Sequence, residues 1–227
     1  MLAGIGFGQT LNKADLPSSI KDSSFFESRQ IPYMLNSLSK IDSLYGSRIL
    51  LYSNMACIPP EITKAFIFIE SKADSMAVSP ELCTGVLQIL ASSATDIIIL
   101  AKREGCLHPE QIQELSRILG EVRTDKILSF KLLGNKAIKR KELYNVDLNL
   151  LLGTMYLSVL INRVKCTGKS IRWDKVAVGY NSGYFAYNSG RDLKGNVKSV
   201  VKSVNRESSN YVLKLLGKNG ILRLILK

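Results

Sequence analysis

The longest apolar stretch of this 227-residue chain, Leu150 to Ile161, limits most strongly what the chain can form. A helix that spans a bilayer needs roughly 20 apolar residues, so this stretch is too short to cross a membrane and predicts a buried helix instead. Asp147 precedes it, and its side chain is expected to cap a helix that runs to about Val164. The sequence therefore favours a folded domain without a transmembrane segment.

Helical spacing of apolar residues recurs along most of the chain after Pro59. Ile62, Ala65, Phe66 and Ile69 form one apolar stripe, and Pro60 suits a first helical turn. Strand signals are few. The fold class is therefore predicted to be mainly α, with further helices at Ser92–Lys102, Pro109–Leu119, Glu121–Phe130, Asp174–Tyr180 and Ser208–Leu216, and strand signals only at Ile49–Tyr52 and Ile221–Ile225.

The domain organisation follows from where this periodicity begins and ends. Residues 1–55 mix Gly, Ser and Asn with weak periodicity, which indicates an irregular N-terminal extension or docking segment with a short helix at Ile31–Leu38. Its first residues, MLAGIGFGQT, lack the basic region and cleavage site of a secretory signal. We expect the main domain at 56–217, an inserted helical pair at about 107–141, and a C-terminal tail at 218–227.

The chain carries a large excess of positive charge. Lys and Arg number 31 against 19 Asp and Glu, a formal net charge of +12, which favours polyanionic partners. No nucleic-acid-binding motif and no aromatics interleaved with basic residues accompany this charge, so specific nucleic-acid binding is not predicted. One basic cluster is either a solvated face or a surface that binds a partner or the cell wall; it comprises Lys136, Lys139, Arg140 and Lys141.

Cysteine and histidine usage argues against several classes of active site. The cysteines Cys57, Cys83, Cys106 and Cys166 show no zinc-ligand spacing. They are either reduced, partly buried thiols or, if the protein functions outside a cell, candidates for a disulfide. The only histidine, His108, precedes Pro109 at a helix start, which argues against Ser-His and Cys-His catalysis. No metal and no cofactor is expected.

Glu70 is the residue whose setting points to catalysis. It follows the apolar run Ala65–Ile69, so its carboxyl group is expected to lie against hydrophobic walls. Desolvation disfavours the ionised form and keeps such an acid protonated near neutral pH. A protonated carboxyl group can donate its proton to the leaving oxygen of a glycosidic bond. A glutamate at a helix end that is exposed to water is the alternative.

The residues around Glu70 and further along the chain form an ordered series of short motifs. The chain resembles the soluble lytic transglycosylase family, which shows E-S, A-V-S-P, G-L-M-Q, A-Y-N-A-G and E-x-x-x-Y-V in this order and has a catalytic domain of the goose-type lysozyme fold. The resemblance covers roughly residues 56–216 and includes a helix similar to the family's N-x-x-x-G-x-x-Y-L. The matching residues are Glu70-Ser71, Ala77–Pro80, Gly85–Gln88, Gly179–Gly183, Glu207–Val212 and Asn149…Gly153…Tyr156-Leu157.

The resemblance implies roles for seven residues. Glu70 would be the sole catalytic acid–base. Ser79 and Gln88 would hydrogen-bond the sugar around the scissile bond. Tyr180 would orient the glutamate or the N-acetyl group, and Asn181 would shape a loop at the cleft. Glu207 would contact the sugar or peptide side, paired with Tyr211 on the far wall, although Tyr180 and Tyr211 also suit plain core packing.

The chain departs from the family pattern at several positions. Leu87 stands where the family has the methionine of its G-L-M-Q turn, and Leu90 and Ala91 replace the Met and Pro that usually follow. Gly179 and Ser182 replace the two alanines of A-Y-N-A-G. Most of these exchanges keep size and polarity close, so they are expected to alter subsite shape more than chemistry.

The implied reaction cleaves the β-1,4 bond between N-acetylmuramic acid and N-acetylglucosamine in peptidoglycan and leaves 1,6-anhydromuramic ends. Hydrolysis commonly needs two carboxylates, whereas the family keeps no second catalytic carboxylate in the loop that holds Asp74. A hydrolytic muramidase of the same fold, with Asp74 or Glu81 as the helper, is the first alternative. A structural virion or secretion component with a vestigial lysozyme domain is the second, and a nucleic-acid-binding domain, which charge alone suggests, is the third.

The setting that these features suggest is the bacterial periplasm or cell wall. The absence of a clear signal peptide and the N-terminal segment 1–55 fit a bacteriophage product associated with the virion, which opens the wall locally. A transglycosylase of a secretion system is the alternative. The expected partners are peptidoglycan glycan strands, together with other virion or secretion-apparatus proteins that bind through 1–55 or 107–141.

Overall fold

The computed structural model describes Leu11, Leu16, residues 24–165, residues 171–183, Lys202 and residues 204–226. The described chain is mainly helical, as the sequence predicts. It divides into two compact units: the first contains residues 41–159, and the second contains the described residues before 41 and after 159. Cys166 and the first ten residues, whose sequence argued against a secretory signal, lie outside the described residues.

Helices make up most of the first unit. The helix α1 contributes residues to both units, and a 3₁₀ turn at Arg140–Tyr144 leads into α6. A two-residue antiparallel hairpin lies between α2 and α3, with Cys83 opposite Leu90 and Thr84 opposite Ile89. The elements are α1 (Ile31–Met55), α2 (Pro60–Glu70), β1 (Cys83–Thr84), β2 (Ile89–Leu90), α3 (Ala91–Arg103), α4 (Pro109–Leu119), α5 (Glu121–Ser129) and α6 (Val146–Lys165).

The second unit pairs α7 (Trp173–Ser182) with α8 (Arg206–Leu216), which pack against each other. Asn205 caps α8, because its Oδ1 atom accepts a hydrogen bond of 2.8 Å from the backbone N–H of Ser208. A short helix, α9 (Ile221–Ile225), follows and packs on α8. A 3₁₀ turn at Ser28–Gln30 precedes α1.

The helix α2, which ends at Glu70, forms for the reasons that the sequence suggests. Pro60 occupies its first turn, where the missing N–H has no helical partner in any case. Of the predicted apolar stripe, Ile62, Ala65 and Phe66 are buried, as predicted, and Ile69 is half-buried. The stripe holds α2 in the core and thereby sets the position of the glutamate at its C-terminal end.

The predicted buried helix is α6, and its residues Leu150, Leu151 and Leu152 are fully buried. The cap is Asn145, whose Oδ1 atom accepts the N–H of Leu148 at 3.1 Å, so the prediction that Asp147 caps this helix is wrong. Asp147 lies in the first turn and forms an ion pair with Arg48 at 3.2 Å. Among the described helices, none is both long and apolar enough to cross a bilayer.

Both predicted strands are wrong. Ile49–Tyr52 lies inside α1, which also extends far beyond the short helix predicted at Ile31–Leu38. Ile221–Ile225 forms α9. In α1, Ile41, Tyr45, Ile49 and Tyr52 are buried at helical spacing. The short apolar window at 49–52 is therefore one part of a longer helical face, which the many serines and asparagines of the segment obscure.

The predicted helical pair at 107–141 is present as α4 and α5, joined at Gly120. His108 is the N-cap of α4, as expected of a helix start, and its N–H donates to Gln111 Oε1 at 2.9 Å. The basic segment 131–141, which follows, is bound to α3, because Thr95 Oγ1 accepts the N–H of Ala137 at 3.0 Å and Asp96 accepts the N–H of Gly134 at 2.8 Å.

Candidate active site

Glu70 is the last residue of α2, and its side chain is half-buried. The chain turns sharply after it through Lys72 and Ala73, which both have positive φ angles. Two contacts fix this turn: Ser71 Oγ donates to Val86 O at 2.9 Å, and the Tyr45 hydroxyl donates to Ala73 O at 3.1 Å. The end of α2 is therefore held against the segment that contains Gln88.

Ser79 opens a tight turn that leads into β1. Its N–H donates to Cys83 O at 2.9 Å, and its carbonyl accepts the N–H of Leu82 at 2.9 Å. Its hydroxyl accepts the N–H of Cys83 at 3.2 Å and donates to Glu81 Oε2 at 3.0 Å. Leu82 has a φ of 67°, a conformation that costs energy for a residue other than glycine. The turn therefore holds the Ser79 hydroxyl in a defined orientation.

The thiol of Cys83 links Glu70 to this turn. Burial raises its pKa, a hydrogen bond from Ser79 opposes that rise, and the negative charges of Glu70 and Glu81 raise it further. Glu70 therefore lies within electrostatic range of a side chain that itself contacts Ser79. Because its pKa is raised, the thiol stays protonated at neutral pH.

Gln88 ends the turn that starts at Gly85 and has a φ of 47°. Its Nε2 atom donates to Ala77 O at 3.1 Å and to Gly85 O at 2.8 Å. These bonds join the G-V-L-Q turn to the A-V-S-P loop. Within the first unit, the Gln88 turn is thus joined to the loop that contains Ser79, and Glu70 acts electrostatically on Cys83, which contacts Ser79.

Asn149 of α6 is fully buried and binds the same turn to this helix. Its Oδ1 atom accepts the N–H of Leu87 at 2.8 Å, and its Nδ2 atom donates to Thr84 O at 2.8 Å and to Leu143 O at 3.0 Å. Gly85 has a φ of 82°, and a Cβ atom there would lie 2.6 Å from Leu143 O. The close contact between the turn and α6 therefore requires both Gly85 and Asn149.

The remaining predicted residues lie in the second unit. Tyr180 and Asn181 belong to α7, and Glu207 and Tyr211 belong to α8. Asn181 Nδ2 donates to Glu207 Oε1 at 3.2 Å, and Ser208 Oγ donates to Asn181 Oδ1 at 2.8 Å. Tyr180 is half-buried and Tyr211 is buried. Asn181 and Glu207 are thus brought together, whereas a shared site with Glu70 stays a prediction.

The other carboxylates considered for hydrolysis have structural partners. Asp74 Oδ1 accepts the N–H of Met76 at 2.8 Å and so stabilises the turn after α2. Glu81 accepts the Ser79 hydroxyl at 3.0 Å. Among the described residues, no group of three or more His, Cys, Asp or Glu side chains is arranged to hold a metal ion.

Two contributors to this region were not predicted as site residues. Asn149 belongs to a helix motif, and the spacing N-x-x-x-G on a buried helix is a signal that this face of the helix meets another segment. Glu81 was considered only as a helper in hydrolysis. A carboxylate two residues after a serine, with proline between them, was the available signal for a side-chain hydrogen bond within the turn.

A comparison of the sequence with family models and with curated proteins finds no match. The resemblance to the soluble lytic transglycosylase family therefore depends on the short motifs and their order.

Proposed function

We propose that this protein cleaves the β-1,4 bond between N-acetylmuramic acid and N-acetylglucosamine, with Glu70 as the acid–base and 1,6-anhydromuramic ends as the products. The observation that carries the proposal is the grouping in the first unit: Glu70 influences the pKa of the Cys83 thiol, the Cys83 N–H donates to Ser79, and Gln88 donates to the carbonyl of Ala77. Contacts in the first unit thus link segments that contain three motifs separate in the sequence.

The position of Glu70 suits proton transfer. Its side chain is half-buried at the C-terminal end of a helix. Partial burial and the negative end of the helix dipole both disfavour the charged carboxylate relative to the neutral acid. A neutral acid can protonate the glycosidic oxygen as the bond to the muramyl anomeric carbon breaks, and it becomes a carboxylate in that step.

The remaining steps need no second carboxylate from the protein. The acetamido oxygen of the muramyl residue attacks its own anomeric carbon and stabilises the positive charge that develops there. The Glu70 carboxylate then accepts the proton of the muramyl C6 hydroxyl, whose oxygen displaces the acetamido oxygen and closes the anhydro ring. The substrate supplies its own nucleophile, so the reaction gains the advantage of an intramolecular step. Water is not consumed.

Two side chains of the first unit suit binding of an N-acetylated sugar. The amide nitrogen of Gln88 donates to two backbone carbonyls, so its Oε1 atom is the group that it can offer a ligand. The Ser79 hydroxyl retains one lone pair after its bonds to Glu81 and Cys83. Both groups present acceptors, which suit the hydroxyl and amide N–H donors of an amino sugar.

Release of soluble fragments from purified peptidoglycan tests this proposal. The native protein should solubilise the polymer, and Glu70→Gln should lower the rate by about a thousandfold, because an amide is not acidic enough to transfer a proton to the leaving oxygen. Glu110→Gln is the matched control, since Glu110 is an exposed helical glutamate. An equal rate for Glu70→Gln and the control would contradict the proposal. A native protein that releases nothing would favour a structural role.

A further inference from the structure

We infer that Glu81 is a positioning residue that accepts the proton of the Ser79 hydroxyl, so that this hydroxyl can only accept hydrogen bonds from substrate. The part of the site around Ser79 therefore binds neutral groups that have N–H or O–H donors in preference to anions. This inference rests on the proposed function. It concerns a carboxylate outside the motifs that carry the family resemblance, and it assigns Glu81 a role through Ser79 without direct participation in bond cleavage.

The hydrogen-bond capacity of the Ser79 hydroxyl carries the first step. A hydroxyl group has one proton to donate and two lone pairs to accept. The proton is directed to Glu81 Oε2 at 3.0 Å, a bond that the negative charge of the acceptor strengthens. One lone pair receives the N–H of Cys83 at 3.2 Å. A ligand therefore meets the second lone pair, and a ligand group must bring the proton.

The neighbouring thiol is the weaker competitor for that proton. Burial raises the pKa of Cys83, a hydrogen bond from Ser79 opposes that rise, and Glu70 and Glu81 raise it further, so the sulfur stays in the protonated form. A protonated thiol is a weak acceptor compared with a carboxylate. The Ser79 hydroxyl consequently keeps its orientation toward Glu81, and removal of the Glu81 carboxylate frees it to rotate.

Local charge gives the same selectivity. The chain as a whole has a formal net charge of +12, which attracts anionic polymers. The acidic side chains that raise the pKa of the Cys83 thiol are Glu70 and Glu81. A carboxylate at this edge would face Glu81 and would find no proton to accept at Ser79. A hydroxyl or acetamido N–H of a neutral sugar is not repelled by Glu81 and can donate its proton to Ser79.

The turn itself supports a positioning role because its backbone does not depend on Glu81. The N–H of Ser79 donates to Cys83 O at 2.9 Å, the carbonyl of Ser79 accepts the N–H of Leu82 at 2.9 Å, and Glu81 is exposed. Replacement of Glu81 should therefore leave the fold and the turn intact. The expected change is confined to the direction of one hydroxyl group and to the charge beside it.

A double-mutant cycle on ligand binding tests the inference. The full chain carrying Glu70→Gln, which prevents turnover, is titrated calorimetrically with a neutral tetramer of N-acetylglucosamine. Glu81→Ala should weaken binding about 3- to 10-fold, the value of one net hydrogen bond. Glu81→Gln should restore affinity to within about twofold, because its amide oxygen accepts the same proton. Ser79→Ala should weaken binding to a similar extent and should abolish any further effect of Glu81→Ala.

A charged ligand and a matched control complete the experiment. The background protein should bind the neutral tetramer more tightly than its carboxymethylated derivative, and Glu81→Gln should narrow that preference about 2- to 5-fold, as expected for one nearby charge in a solvated site. Glu121→Ala, at another exposed glutamate, should change neither affinity. Thermal unfolding of each variant should coincide with that of the background protein.

Three results would overturn the inference: an unchanged affinity in Glu81→Ala, an equal loss from Glu81→Ala with and without Ser79, or no binding of the tetramer by the background protein. Each is separable from failure of the proposed function. Wall cleavage by the native protein with no effect of Glu81 defeats the inference alone. Coupled binding by Ser79 and Glu81 without wall cleavage defeats the proposed function alone.

Discussion

Replacement of Asn149 should destabilise the protein more than its size suggests. Its side chain satisfies one buried N–H donor and two carbonyl acceptors through bonds of 2.8 to 3.0 Å. Asn149→Ala leaves the N–H of Leu87 without this acceptor, and an unsatisfied buried group costs about 1–3 kcal/mol. With the lost bonds to Thr84 and Leu143, we expect the free energy of unfolding to fall by about 2–4 kcal/mol.

Urea unfolding followed by circular dichroism measures this loss, and Thr154→Ala is the control on the same buried helix. The Thr154 hydroxyl donates only to carbonyls one turn earlier, at 2.9 and 3.1 Å, so its removal should cost about 1 kcal/mol. A loss below 1 kcal/mol for Asn149→Ala would show that the turn does not depend on these bonds.

Asn149→Asp gives the same test a pH dependence. Its carboxylate would still accept from Leu87 but would face the carbonyl oxygens of Thr84 and Leu143, where Asn149 now donates. Repulsion and burial should raise the pKa of the aspartate in the folded state above its unfolded value of about 3.9. The loss of stability should therefore be smallest below pH 4 and should grow as the pH rises. A loss that does not change between pH 4 and pH 7 would contradict this account.

Three further predictions concern packing, ion pairing and the basic segment. Gly153→Ala should destabilise the protein by about 1–3 kcal/mol, because a Cβ atom there would lie 2.9 Å from Leu87 Cβ. Gly46→Ala should stabilise the protein by about 0.5–1 kcal/mol, because a Cβ atom at this helical position would have no atom within 4 Å. The two variants should shift the thermal unfolding temperature in opposite directions. The hydrogen bond from Arg123 lowers the pKa of Glu142 to about 2. The stability that this pair adds should therefore be present above the unfolded pKa of about 4.3 and lost as the pH falls toward 2. Arg123→Met should flatten this pH dependence in acid unfolding curves, and an unchanged curve would contradict the prediction. Neutralising three exposed lysines of the basic segment should reduce the amount of protein that sediments with peptidoglycan at low salt and have little effect at high salt. An equal reduction at low and high salt would exclude an electrostatic role. The substitutions are Lys131→Gln, Lys136→Gln and Lys141→Gln.

Local sequence signals sufficed for most helices. Pro60 and Pro109 mark helix starts, and Gly120 separates α4 from α5, so the bounds depend on residues inside each segment. The errors arose where the signal was short. Ile49–Tyr52 and Ile221–Ile225 are apolar windows of four or five residues, too short to reveal a period, and tertiary packing decides their structure.

The site divides in the same way. The order of motifs pointed to Glu70, Ser79 and Gln88, whose segments are linked in the first unit through Cys83 and Ala77. The direction in which the Ser79 hydroxyl donates depends on the fold of the turn that brings Glu81 to it. The part that Asn149 plays depends on contacts with a turn more than sixty residues earlier in the chain. Interactions of this kind leave little trace in a single sequence.

The masses of the fragments released from purified peptidoglycan test the central claim most directly. If Glu70 is the sole acid–base and the muramyl C6 hydroxyl is the nucleophile, the native protein should release muropeptides lighter by one water than the products of a hydrolytic muramidase. Glu70→Gln should release almost none. Fragments with reducing muramyl ends, or undiminished release by Glu70→Gln, would contradict the account.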